Sequence, residues 1–134
     1  MTEFNFPVRV YYEDTDAGGI VYYANYLKFM ERARTEWLRS IGVDQPTLMR
    51  DQRLMFVVVS TDVKYLKPAR FDDLLNVSCR MMSITRTSLS FEQEIRRNDE
   101  LGELLISGSV KAACVDADRL RPRAIPANLL EEFA

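Results

Sequence analysis

Apolar residues at Tyr26, Met30, Ala33, Trp37 and Ile41 recur at steps of three and four, the period of a helix with one buried stripe. Lys28, Glu31, Arg32, Arg34, Glu36 and Arg39 fill much of the other side. Asn25 is placed to be an N-cap and Gly42 to be the C′ stop, so the spacing predicts about 15 helical residues, roughly 22 Å long. A strand candidate, Pro7 to Tyr12, precedes this helix. Beyond a loop around Pro46 the period changes to two: Val57, Val59, Thr61, Val63 and Tyr65 share one face, with Ser60, Asp62 and Lys64 on the other. The stretch "LKPARFDD" turns the chain, and Leu75, Val77, Cys79 and Met81 then alternate. Thr85-Arg86-Thr87 makes the next turn, Leu89, Phe91 and Ile95 mark another strand, and Asn98-Asp99 with Gly102 turns again. Leu104, Ile106, Val110, Ala112 and Cys114 line a last long strand, "RLRPRAIP" is extended, and "ANLLEEFA" suits a terminal helical turn or two.

This order, strand, long helix, then four long strands, is α+β with a mostly antiparallel sheet. The strands run near ten residues, against the usual ~5–6. One helix cannot cover such a sheet, so the sheet is expected to curl around it. A second subunit is expected to protect the remaining edge or face.

Composition narrows the function more than the fold. The 134 residues suit a single domain, 1–134, and 47% hydrophobic with 28% charged is an ordinary globular balance. A net charge of −2 does not favour nucleic acid or an anionic membrane as partner. No apolar run approaches the ~20 residues of a membrane span, and "MTEFNFPVRV" has no secretory pattern, so a cytoplasmic protein is expected. Cys79 and Cys114 fall in strand patterns and read as buried thiols rather than a disulfide. The chain has no histidine, which removes Ser-His-Asp and Cys-His chemistry and most zinc sites.

What remains is concentrated in "EDTDAGGIVYYANYLKFMERA". Glu13, Asp14 and Asp16 precede Gly18-Gly19 and the helix start. On residue type alone a solvated turn is the better account. The alternative is chemical: the first amides of a helix lack intrahelical partners and favour negative charge, and glycines let backbone approach a ligand closely. Glu13 and Asp14 read as solvated turn residues or as groups supporting Asp16. Asp14-Thr15-Asp16 also begins like a calcium loop, but Gly18 and Asn25 stand where ligands are required, so no metal is expected.

Four blocks, "YYEDTDAGGIVYYANYLKFMERARTEWLR", "FVVVSTDVKYLKPARFDDLLNV", "TRTSLSF" and "CVDADRLRPRAIP", in this order and spacing, make the chain resemble the hotdog-fold acyl-CoA thioesterases of the 4-hydroxybenzoyl-CoA thioesterase type. It is most similar to their Tol–Pal-associated branch. The resemblance implies a curved sheet of about five strands around one long helix, dimers as the minimal unit, a homotetramer built as a dimer of dimers, and active sites at the dimer interface. It implies that Asp16 is catalytic and that Tyr23 supplies a backbone amide to the thioester carbonyl. Tyr23 stands where close relatives of that branch often carry histidine, although tyrosine occurs in the wider family. That difference keeps a second reading in view, a non-catalytic acyl-CoA or acyl carrier protein binder or scaffold.

The chemistry is consistent with the resemblance. A thiol leaving group has an ordinary pKa near ~8.5 and departs without a strong general acid, so a missing histidine is not fatal. Asp16 can serve as nucleophile or as general base, and the residues leave both open. Coenzyme A, here part of the substrate and not a cofactor, carries phosphates. Lys67, Arg70, Arg86 and Arg121 or Arg123 lie in loops suited to them, with Thr87-Ser88 as hydroxyl donors. Phe56, Val57, Val58 and Val59 either line an acyl pocket or fill core. The candidate substrate-binding set is therefore Gly19, Ile20, Val21, Tyr22, Asn25, Val59, Lys67, Arg70, Arg86 and Ser88.

Overall fold

The stripe from Tyr26 to Ile41 folds as helix α1, Asn25–Ser40, in the computed structural model, which describes residues 3–133. Gly42, at φ +86°, ends it. The Gly42 amide donates to the Arg39 carbonyl (3.1 Å) and the Val43 amide to the Leu38 carbonyl (2.9 Å), the paired bonds of a Schellman motif. The start differs from expectation. Ala24 occupies the N-cap position and Asn25 is the first helical residue, its side chain turned away from the helix amides toward Asp14.

Chain order is β1 (Phe4–Arg9), a 3₁₀ turn (Tyr12–Asp14), α1, α2 (Gln45–Gln52), β2 (Leu54–Tyr65), β3 (Leu74–Ile84), β4 (Ser88–Arg97), β5 (Leu104–Asp116) and α3 (Ala127–Phe133). The five strands form one sheet, ordered β1-β3-β4-β5-β2, with every neighbouring pair antiparallel. β1 stops short of the expected Tyr12 because its partner β3 begins at Leu74, just past a turn with Asp72 at φ 70°. The loop expected around Pro46 is instead helix α2. Asp44 caps it by accepting from the Thr47 amide (3.2 Å), and a proline in the first turn removes only an amide that has no helical partner. The C-terminal helical turns form as α3; Ala134 lies outside the described residues.

α1 lies on the inner face of the sheet. Met30, Ala33 and Phe29 are fully buried, Trp37 meets Phe91 edge-on (5.4 Å between centroids), and Phe133 of α3 stacks on Trp37 (5.8 Å). Glycine at 108 lets Met30 seat against β5: a β-carbon there would stand 3.1 Å from Met30 Cε. The outer face carries Arg80, Glu92, Ser109, Lys111, Asp62 and Lys64, so alternation is polar-out as for a sheet with one wet face.

Gln93 breaks that rule on the inner face. It is fully buried, its Nε2 donates to the Met30 carbonyl (3.0 Å) and the Ser78 carbonyl (3.2 Å), and its Oε1 accepts from Arg34 Nη1 (2.9 Å). The Glu94 amide meanwhile donates to Ser78 Oγ (2.9 Å), so side chains replace ladder bonds where β3 and β4 part.

The expected apolar face of β2 is corrected by a bulge. Val58 pairs with Ala112 and Ser60 with Lys111, which leaves Val59 unpaired and reverses the parity of the strand. Leu54, Phe56 and Val58 face α1 before the bulge, and Val63 and Tyr65 after it. Val57, paired with Ala113, therefore falls on the opposite face, and Val59 stands unpaired between the two registers. β2 is also a sheet edge, and Val58 and Val59 are 51% and 53% exposed.

Both cysteines are free and buried. Desolvation pushes the Cys79 thiol up to about 12, and burial raises Cys114 as well. The folded Cys79 value lies above its ordinary 9.0, so the unfolded thiol ionises first as pH rises. Its contribution to stability is intact below about 9 and is lost toward about 12. Iodoacetamide at pH 8 is expected to label both thiols in urea and leave Cys79 unmodified in the folded protein, read by intact mass. Among the described residues, no helix is long and apolar enough to cross a membrane.

Candidate active site

Asp16 lies on a short hairpin that runs straight into α1. The Asp16 amide donates to the Ile20 carbonyl (2.9 Å), the Gly19 amide to the Asp16 carbonyl (3.0 Å), and Thr15 pairs with Val21. Gly19 takes φ +78°, the left-handed backbone this turn requires. The hairpin is tied to the β2–β3 connection by the Val21 amide, which donates to the Ala69 carbonyl (2.9 Å), and by a bridge between Ile20 and Arg70. It is tied to its own base by the Tyr22 amide, which donates to the Asp14 carbonyl (2.8 Å).

The Asp16 carboxylate is exposed. Its Oδ1 accepts from the Gly18 amide (2.8 Å), and a β-carbon at position 18 would stand 3.2 Å from that oxygen. Glycine there leaves the carboxylate clear. Asp14 is the reverse: 7% exposed, with Oδ1 accepting from Asn25 Nδ2 (2.9 Å) and Oδ2 from the Tyr11 amide (2.9 Å). Of the two readings of Asp14, solvated turn residue or group supporting Asp16, its burial removes the first. Position in an acidic run could not choose between the two, because the donors that let it bury come from Tyr11 and Asn25.

Among the described residues the Tyr23 and Ala24 amides donate to no acceptor, so the helix entrance keeps two free donors. Tyr65 fixes this stretch from β2: its hydroxyl donates to the Tyr23 carbonyl (3.2 Å) and its ring lies edge-on to Tyr23 (6.1 Å) and tilted against Tyr26 (5.8 Å). Tyr26 Oη accepts from the Ala69 amide (3.0 Å). Desolvation raises both the Tyr26 and Tyr65 phenols, so they stay protonated at neutral pH and act as fixed donors and acceptors, not bases.

The candidate binding residues do not converge in one chain. Gly19, Ile20, Tyr22 and Arg70 are exposed or half-buried beside Asp16, while Val21 and Asn25 are buried beneath it. Lys67 is committed to Glu103 (3.0 Å). Ser88 is buried against Thr85 (2.6 Å between hydroxyl oxygens), and the exposed Arg86 accepts the Ile125 amide on its carbonyl. Ser88 pairs with Ala113 of β5 whereas Tyr65 pairs with Ile106, so the Arg86 end of the sheet is about 23 Å along β5 from the Tyr23 end. Val59 lies between them on the exposed edge. A cleft of about 130 Å³ opens between α1 and β2, lined by Arg34, Leu38, Phe56, Val58, Leu89 and Phe91.

An exposed carboxylate on a hairpin that ends in unpaired helix amides can take a proton or attack carbon beside donors suited to a developing oxyanion, the chemistry of acyl transfer. The comparisons agree with that class. Residues 18–103 match the model of the thioesterase superfamily. The chain is 46% identical to the acyl-CoA thioesterase YbgC of Haemophilus influenzae over 130 residues, 97% of this chain and 93% of that one. It is 47% identical over 132 residues to the acyl-CoA thioester hydrolase YbgC of Escherichia coli O157:H7, covering 98% and 96%. Its fold is shared with a 4-hydroxybenzoyl-CoA thioesterase mutant complexed with 4-hydroxybenzoyl CoA, at a TM-score of 0.90, 20% identity, and coverage of 98% and 99%. The chain belongs to the thioesterase superfamily, and its architecture is the hotdog fold.

Proposed function

We propose that this thioesterase hydrolyses acyl-CoA to the free acid and CoA, with Asp16 as the catalytic carboxylate and the Tyr23 amide as oxyanion donor. The observation that carries the reading is the exposed Asp16 carboxylate on a hairpin that ends at unpaired helix amides. Relatives of this identity and coverage that are named acyl-CoA thioesterases support the substrate class.

The carboxylate works in one of two ways. As general base, Asp16 takes a proton from water while the water oxygen bonds to the thioester carbon. As nucleophile, an Asp16 oxygen forms that bond, and the resulting mixed anhydride is opened by water. Either way the carbonyl oxygen becomes anionic and is met by the Tyr23 amide. The C–S bond then breaks, and the CoA thiolate leaves with its electron pair, taking the proton that Asp16 removed from water on the general-base route or one from solvent on the nucleophilic route. No cofactor is needed.

The working unit in this reading is a homo-oligomer. If β2 pairs antiparallel with the β2 of a second copy, the Leu54 end of one strand lies beside the Tyr65 end of the other. The Arg86 and Ser88 end of one chain then approaches Asp16 of its neighbour. The α1–β2 cleft supplies apolar wall for the acyl group, and Arg70 with Arg86 are the exposed cations for the phosphates of CoA or for an acyl carrier protein carrying the same thioester. By resemblance to its branch, the reading extends to a cytoplasmic dimer of dimers associated with the Tol–Pal system.

Thiol release from short, long and aromatic acyl-CoAs, and from carrier-linked forms of the same acyl groups, checks this. Turnover of at least one CoA ester is expected. Absence of turnover on every thioester overturns the reading in favour of a binding protein.

A further inference from the structure

We propose that Asp14 is a positioning residue: its buried carboxylate, through Asn25, sets the height of the Asp16 hairpin over the first turn of α1. The inference rests on the proposed reaction at Asp16 and adds a residue to it. Asp14 closes both ends of the structure that carries the reacting groups. One carboxylate oxygen takes the Asn25 side chain, inside the helix, and the other takes the Tyr11 amide, at the end of the incoming strand. Its backbone carbonyl takes the amide of Tyr22, one residue before the proposed oxyanion donor.

Burial of a carboxylate carries a desolvation penalty, and Asp14 belongs to no ion pair among the described residues. A plain turn would be served as well by an amide. What distinguishes the carboxylate is that both its oxygens only accept, and both face donors. An amide at position 14 keeps both partners only if Asn25 turns its own amide over, and each bond then runs to a neutral oxygen instead of a carboxylate. Hydrogen bonds to an ionised acceptor are also about twice as strong as neutral ones. The clamp is therefore strongest with one carboxylate and one amide across positions 14 and 25, and the two can be exchanged. With the carboxylate at 25, the amide at 14 donates to it and still accepts from Tyr11.

The experiment compares Asp14→Asn, Asn25→Asp and the double exchange by steady-state kinetics on the best acyl-CoA substrate and by hydrogen exchange of amides 16–23. Asp14→Asn is expected to lower kcat about 100-fold, the cost of a misplacement near 1 Å, with KM within about threefold. The exchange is expected to restore at least about tenfold of kcat and the original protection of amides 16–23. An unchanged kcat in Asp14→Asn, or an exchange no better than the single variants, overturns the clamp. If Asp14→Asn does not fold, Asn25→Ala is measured in its place, with the same loss of kcat expected and an unchanged kcat overturning the inference. Hydrogen exchange separates the two ideas. Wild-type protein without turnover but with exchange-restored protection fails the hydrolase reading and keeps the clamp.

Discussion

Asp16→Asn is expected to reduce kcat on acyl-CoA by about 10²–10⁴-fold while leaving the fold and the mass in solution unchanged. The side chain is exposed, and the oxygen that anchors the hairpin, Oδ1 on the Gly18 amide, survives in the amide isostere. Structure is thus preserved, and what disappears is an anion that can bond to carbon or accept a proton from water. Circular dichroism and light scattering would show no change beside the collapse in thiol release. The chain has no histidine, the nearby phenols of Tyr26 and Tyr65 are held protonated, and the Asp14 carboxylate is committed to Tyr11 and Asn25, so none of these groups replaces it. A variant that retains more than a tenth of wild-type kcat would remove Asp16 from the reaction.

Val59→Asp is the second large effect expected, and it acts at a distance from the carboxylate. Val59 is the bulged residue of an edge strand and stands 53% exposed, so a charge there costs the single chain little. In a β2–β2 interface the same charge is buried without a partner, a penalty of several kcal/mol, enough to shift association about a hundredfold or more. Size-exclusion chromatography with light scattering is expected to show mass falling toward the 15.5 kDa of one chain. Activity should fall in step, because Arg86 and Ser88 reach Asp16 only from a second copy in this arrangement. Full activity in a monomer would dispose of the shared site.

The parts of the molecule that were legible in the sequence are those decided locally. The α1 stripe and the Gly42 stop are periodic and conformational signals, and both stand within a residue or two of expectation. The hairpin turns at Thr85-Arg86-Thr87 and Asn98-Asp99 likewise follow from turn residues. The strand face of β2 did not, because a bulge at Val59 inserts one residue that no side-chain type announces, and every later position changes sides. α2 was hidden by Pro46, which breaks helices except in the first turn, where it sits.

The candidate site divides the same way. The turn at Gly18 and Gly19 was readable from residue type. The burial of Asp14, the diversion of Asn25 from capping to holding that carboxylate, and the part played by Tyr65 all depend on groups brought together from separate segments. So does the separation of Arg86 and Ser88 from Asp16. Loop residues at similar distance along the chain lie at opposite ends of the sheet, and only the pairing register reveals it.

Gln93 has a consequence for how the helix can move. A purely apolar contact between a helix and a sheet resists separation much more than sliding, since one set of side chains can be exchanged for the next along the axis. Gln93 acts as a dowel through that contact: it grips the Met30 carbonyl on one side and the Ser78 carbonyl on the other, with Arg34 closing over its oxygen. Any axial slip of α1 would strand buried donors and acceptors in apolar surroundings. The mouth of the helix is thereby held at one station relative to the sheet, so that opening for a long acyl chain must come from the edge at β2 and not from travel of the helix.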